Sequence, residues 1–224
     1  MKKIFAFVKL DFLTVKPYIT LKNLLILIIV PLIMGYSSPS DASMIGFIMV
    51  FGALFVSYPF AVSEKNGLDS LYATLAITRG TVVFGRYLFS FILNIFTGFL
   101  GYFLTFMLSA VLKRPFSPSE TFFIILAIFA IYSLVLSFQL PIYFKLGYTK
   151  AKMIAYLPFV AWPLVVWGLS FLLKNAALAE KLSLLPFWFE SHLFIFSLLC
   201  LTLWTAIMFS SYRVAFSYYQ KRDF

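Results

Sequence analysis

Charge is what this 224-residue sequence has least of. Only 12% of its residues are Asp, Glu, Lys or Arg, about half the share of an ordinary soluble domain. So few charges cannot give a water-compatible surface to a chain that is 62% hydrophobic with mean hydropathy +0.98. A soluble globular protein is therefore excluded. Disorder is excluded as well, because disordered chains are poor in aromatics and 21% of this one is Phe, Tyr or Trp. With one cysteine (Cys200) and one histidine (His192), the chain can build neither an internal disulfide nor a metal site of familiar spacing. The phosphate loop G-x-x-x-x-G-K-[ST] and the G-x-G-x-x-G turn are both missing. Any use of nucleotide energy thus needs a site on another chain. A serine nucleophile needs a base within reach, and His192, close to Glu190, is the one candidate; we read it as an interfacial polar residue. No catalytic residue, metal or bound cofactor is expected here.

What is present is a succession of long apolar runs. Six are expected to cross a bilayer as helices, at about 20–36, 42–62, 82–112, 121–144, 153–173 and 187–210. Six spans of ~20 residues leave no room for a second soluble domain. The chain is thus expected to be one all-α integral membrane domain, 1–224, with spans over 20–210 and a short tail over 211–224. Residues 1–18 are not a signal peptide, because the apolar run stops at Lys9 and no small-residue cleavage site follows. Lys2, Lys9 and Lys16 share one helical face, while Ile4, Phe5, Val8, Phe12 and Val15 share another. That pattern predicts an amphipathic helix in the headgroup layer with its lysines toward anionic lipid, broken by Pro17.

The net charge of +10 is read as a topology signal rather than a nucleic-acid footprint. With the N-terminus inside, fourteen of the eighteen cations fall on inner segments and four (Lys113, Arg114, Lys174 and Lys181) on outer ones, while the eight acids divide evenly. The positive-inside bias then puts both termini in the cytoplasm. No Asp or Glu lies near the middle of any expected span, although ion-coupled carriers usually need a carboxylate there. Work must therefore enter through the loops. Asn94 and Gln139 are the notable intramembrane amides, expected to bond between helices. Arg86 is expected to snorkel to the headgroups. Span three is rich in phenylalanine, including Phe96 and Phe99; such a wall suits either lipid contact or passage of an amphipathic molecule.

Two inner loops are specific. The first, 63–88, carries Leu68, Leu71, Tyr72 and Leu75 at i, i+3, i+4 and i+7, an apolar stripe on a short helix capped by Asn66 and ended by Thr78, Arg79 and Gly80. Such a helix has nothing of its own to bury the stripe against, so it lies on the membrane or enters a partner's groove. The second, 141–153, sets Lys145, Lys150 and Lys152 around Gly147 and Tyr148, after a Pro141 expected to kink or end span four.

Glu64-Lys65-Asn66-Gly67, Leu71-Tyr72-Ala73-Thr74-Leu75, Thr78-Arg79, Val82-Val83 and Gly85-Arg86-Tyr87-Leu88 make up one motif. Pro141-Ile142-Tyr143-Phe144-Lys145-Leu146-Gly147-Tyr148 with Lys150-Ala151, and the closing Tyr219-Gln220-Lys221-Arg222-Asp223-Phe224, make two more. Together with the length and span number, they give a chain that resembles the small permeases of ABC type-2 exporters, a group that includes bacterial exporters of antimicrobial or amphipathic peptides such as phenol-soluble modulins. One departure is Ala76-Ile77, where Leu-Pro would precede the basic residue. The resemblance implies an ABC type-2 permease architecture in a bacterial cell membrane, paired with a second permease copy (the same or a different chain) and with a separate ABC ATPase subunit that binds ATP and Mg. It implies that the first-loop helix is a coupling helix, with Leu68, Leu71, Tyr72 and Leu75 as anchors in the ATPase and Glu64 and Arg79 pinning its ends. Lys145, Tyr148 and Lys150 would form the minor contact. The outer segment 174–189 would contribute to a gate, and Asn94, Phe96 and Phe99 to a substrate path for an amphipathic peptide. A non-transport membrane assembly or a bacteriocin-immunity factor is the alternative.

Overall fold

The computed structural model describes residues 2–37, 41–75, 77–158 and 193–222. Among them every regular element is helical: α1 Lys2–Val15, α2 Leu21–Ser37, α3 Asp41–Asn66, α4 Leu68–Thr74, α5 Arg79–Leu112, α6 Pro118–Ala155 and α7 Leu193–Gln220. Four stretches are long and apolar enough to cross a bilayer: Asp41–Asn66, Arg79–Leu112, Pro118–Ala155 and Ser197–Gln220. With its 17 residues, α2 is at the short end of a spanning helix. The expected fifth span lies mostly outside the described residues, as do Glu190, His192 and the outer segment 174–189.

Capping residues set the ends. The Thr78 side chain accepts from Thr81 N and starts α5, and the chain leaves α5 through Lys113 in a left-handed conformation. Ser117 accepts from Glu120 N with Pro118 at the first helical position of α6. At the other end of the bundle, Lys16, Pro17 and Tyr18 form a 3₁₀ turn across which α1 and α2 meet at 87°. So sharp a bend means that α1 and α2 do not form one straight span.

The inward face of α1 overlaps only in part with the apolar face its periodicity indicates: Val8 and Val15 belong to both, and Phe12 stands edge-on to the buried Phe89 at 4.8 Å. Phe7, Val8, Asp11 and Val15 are buried, whereas Phe5 and Phe12 are exposed. α1 thus turns one side to the bundle and a different apolar side away from it. The approach is close at Gly85 of α5, where a Cβ would stand 2.5 Å from Phe7 Cδ1, so no larger residue fits without moving the ring.

Three expectations about the basic end are corrected. Asn66 does not cap the short helix; it is the last residue of α3, and Gly67 at φ +60° makes the break before α4. Arg79 does not close that helix but opens α5. Pro141 does not end the helix: α6 runs through it and breaks at Gly147 (φ 75°, ψ 175°), so the expected loop is an elbow between two helical segments. An interior proline is tolerated in a membrane helix because packed neighbours satisfy the freed groups. Across this elbow Gln139 Nε2 donates to the Ala155 carbonyl at 2.8 Å, the bond between helical segments expected of that amide.

Candidate functional site

The sequence-selected residues of both inner loops converge at the basic end of the bundle, around α4. Its stripe is divided. Tyr72 is 3% exposed, with its ring edge-on to Phe7 at a centroid distance of 5.2 Å, and Leu68 packs against the same cluster. Leu71 and Leu75 are 48% and 62% exposed. The reason is geometric. Residues four apart lie almost one above the other on a helix, so 68 and 72 form one ridge and 71 and 75 the next. The stripe straddles the edge of the contact, with one ridge inward and one outward. Tyr72 is therefore an internal anchor of the permease body, and the surface available to a partner is Leu71 with Leu75.

The two residues expected to pin this helix to a partner are engaged within the chain. The Glu64 carboxylate accepts from the backbone N–H of Tyr148, and from that of Thr149 at 3.1 Å. These are the unsatisfied donors of the helical segment that restarts after Gly147, so a carboxylate there both caps it and complements its dipole. Gly147 permits the arrangement: its φ is positive, and a Cβ would stand 2.7 Å from Glu64 Oε2. Arg79 Nη1 donates to the carbonyl of Gln220, the last residue of α7. Of the second loop, Lys145 lies 4.9 Å from the Tyr218 ring centroid, Tyr148 stacks on Tyr143, and Lys150 is exposed.

Behind α4 is a buried polar centre that sequence reasoning missed. Arg86 does not snorkel; it is 2% exposed. Its Nε lies 3.1 Å from Asp11 Oδ2, its Nη2 donates to Ser63 Oγ at 2.7 Å, and its Cζ sits 4.5 Å from the Phe60 ring centroid. Desolvation explains this: once α1 and α3 cover the start of α5, the guanidinium is cut off from the headgroups and must find its counter-charge inside the protein. Asp11 is fully buried, and its Oδ1 has no hydrogen bond. Burial raises the Asp11 carboxyl to about 6, with Arg86 drawing it partly back down. One signal was available: Asp11 is the only acid among residues 1–40 and stands inside an apolar helix.

Asn94, the other intramembrane amide, makes no side-chain bond among the described residues: neither its Oδ1 nor its Nδ2 has a partner there, and the side chain is buried. It lines an apolar groove of about 440 Å³ formed with Gly98, Phe99 and Tyr102 of α5 and with Phe122, Ile125 and Phe129 of α6. Phe96 is exposed but stands outside this groove. Of the three substrate-path residues, the structure brings together Asn94 and Phe99. Among the described residues no group of three or more His, Cys, Asp or Glu side chains could hold a metal ion.

The family model of the ABC-2 family transporter proteins matches residues 6–220, almost the whole chain, including α1 and the end of α7. Neither a curated protein nor a solved structure matches it.

Proposed function

The chain belongs to the ABC-2 family of transporter proteins; it is a multi-pass membrane permease, a transport component rather than a catalyst, and we propose that it serves as the membrane subunit of an ATP-driven exporter of amphipathic peptides or similar hydrophobic compounds. ATP and Mg bind to a separate ATPase chain, and two permease copies face each other across the path. Both termini and α4 lie on the cytoplasmic side of a bacterial membrane, in line with the positive-inside bias. The chain forms a single permease domain over 1–224.

One observation carries this reading: a short helix between two spans holds Leu71 and Leu75 outward while Tyr72 fastens its other ridge into the body. An exposed apolar ridge that cannot rotate is suited to receive force from a groove in a partner. Exposed Lys65 and Lys150 nearby favour a groove with an acidic rim. Once inserted, the ridge transmits displacement into α3 and α5, an alternating rigid-body scheme. The groove at Asn94 and Phe99 fits the apolar part of a substrate.

The test is co-purification. Leu71→Asp with Leu75→Asp should remove the phosphate-loop ATPase from the purified complex while the permease still inserts in the membrane and elutes as a single species. An ATPase that stays bound to this double variant would refute the docking role of the ridge.

A further inference from the structure

The cytoplasmic end of the last span, α7, reaches back and grips α4. Asp69, in the first turn of α4, is the meeting point: its Oδ1 accepts from the Tyr219 hydroxyl at 3.1 Å, and its Oδ2 lies 3.6 Å from Arg222 Nη1. Tyr219 is itself held, with a buried ring edge-on to Phe144 at 5.2 Å. From the first residue of α5, Arg79 donates to the Gln220 carbonyl. A cation there satisfies one of the orphan acceptors at the end of α7 and complements its dipole. Arg222 also borders the elbow, since a Cβ on Gly147 would come 3.1 Å from its Nη2. Farther along α7, the Tyr87 hydroxyl bonds Ser211 Oγ at 2.6 Å, and Ser211 donates to the Ser137 carbonyl at 2.6 Å.

α4 is set off from its neighbours in sequence. Gly67, at positive φ, precedes it, and a non-helical stretch separates it from the Thr78 cap of α5. Side-chain contacts to α7 and to Phe7 add to the backbone in fixing its position. Asp69 and Arg222 are only partly exposed, and the buried Tyr219 hydroxyl gives their contact a fixed geometry that a solvated ion pair lacks.

We infer that the end of α7 is a clasp, with Tyr219 and Arg222 as positioning residues acting through Asp69, which makes α4 and the last span move as one unit. This rests on the reading of α4 as the element driven by an ATPase. A push on α4 then reaches α7 directly, and not only the two spans to which α4 is joined in sequence.

The experiment is amide hydrogen exchange on the full-length permease with its co-purified ATPase in lipid nanodiscs, without nucleotide and trapped with MgATP and vanadate. In the wild type, trapping should change exchange in residues 68–75 and in 209–222 together. In Tyr219→Phe with Arg222→Asp, the change at 68–75 should persist and that at 209–222 should fall by about fivefold. Adding Asp69→Arg to Arg222→Asp, with Tyr219 kept, should restore the response by reversing the pair. Should the double variant fail to assemble, Tyr219→Phe with Arg222→Gln is read in the same way. A response at 209–222 that is equal in wild type and variant overturns the clasp, as does one absent from the wild type while 68–75 responds. A wild type in which 68–75 does not respond overturns the ATPase-driven reading of α4 instead.

Discussion

The buried pair of Asp11 and Arg86 makes a quantitative prediction about pH. Asp11 has a folded-state value of about 6 against an ordinary 3.8, a difference of about two units, or about 3 kcal/mol by linkage. The folded protein binds the Asp11 proton more tightly than the unfolded chain does. This group's contribution to stability is therefore fully present below about pH 3.8 and is lost as pH rises through about 6. The physical content is that burial costs the carboxylate more than one guanidinium returns, although the two are only 3.1 Å apart. Asp11→Asn removes the titration while keeping shape and polarity. Thermal unfolding of the purified permease, followed by fluorescence across pH 4 to 8, should show the wild type losing up to about 3 kcal/mol relative to Asp11→Asn as pH rises. That corresponds to a midpoint lower by about 6–12 °C for a chain of this size. Curves for the two proteins that stay parallel over the whole range, or a wild type that gains on the variant with rising pH, would refute the reasoning.

Two further outcomes follow from the elbow and the groove. Gly147→Ala should cost about 2 kcal/mol from its positive φ alone, plus the displacement of Glu64 Oε2, which a Cβ would meet at 2.7 Å; in a Glu64→Ala background thermal unfolding should report only the first part, so that the two changes are not additive. Asn94→Leu removes two buried polar atoms that have no partner among the described residues and should stabilise the permease by about 1–3 kcal/mol while lowering vesicle transport of an amphipathic helical peptide, a combination that ordinary structural damage does not produce.

The bilayer made much of this fold legible before any coordinates. The expected spans at 42–62 and 82–112 correspond to Asp41–Asn66 and Arg79–Leu112, because a long apolar run with no acid at its centre has few alternatives in lipid. Local signals failed where the deciding partner is remote in sequence. The periodicity of α1 is that of a helix with one wet and one greasy side, and it cannot register that Asp11 meets Arg86, seventy-five positions on. The same holds for Tyr72, whose place in the stripe is identical by spacing to that of Leu71 yet which Phe7 captures. The resemblance assigns Glu64 and Arg79 outward, to a partner, and no internal acceptor or donor for them is visible within a few residues. Their partners are the backbone groups of Tyr148 and Thr149 and of Gln220, which leave no trace in a side-chain pattern. In this chain Asp11, Glu64, Arg79 and Arg86, all near the basic end, each meet a specific partner. The residues to suspect first are then the acid in a greasy helix, the arginine at the start of a span and the glycine beside a glutamate.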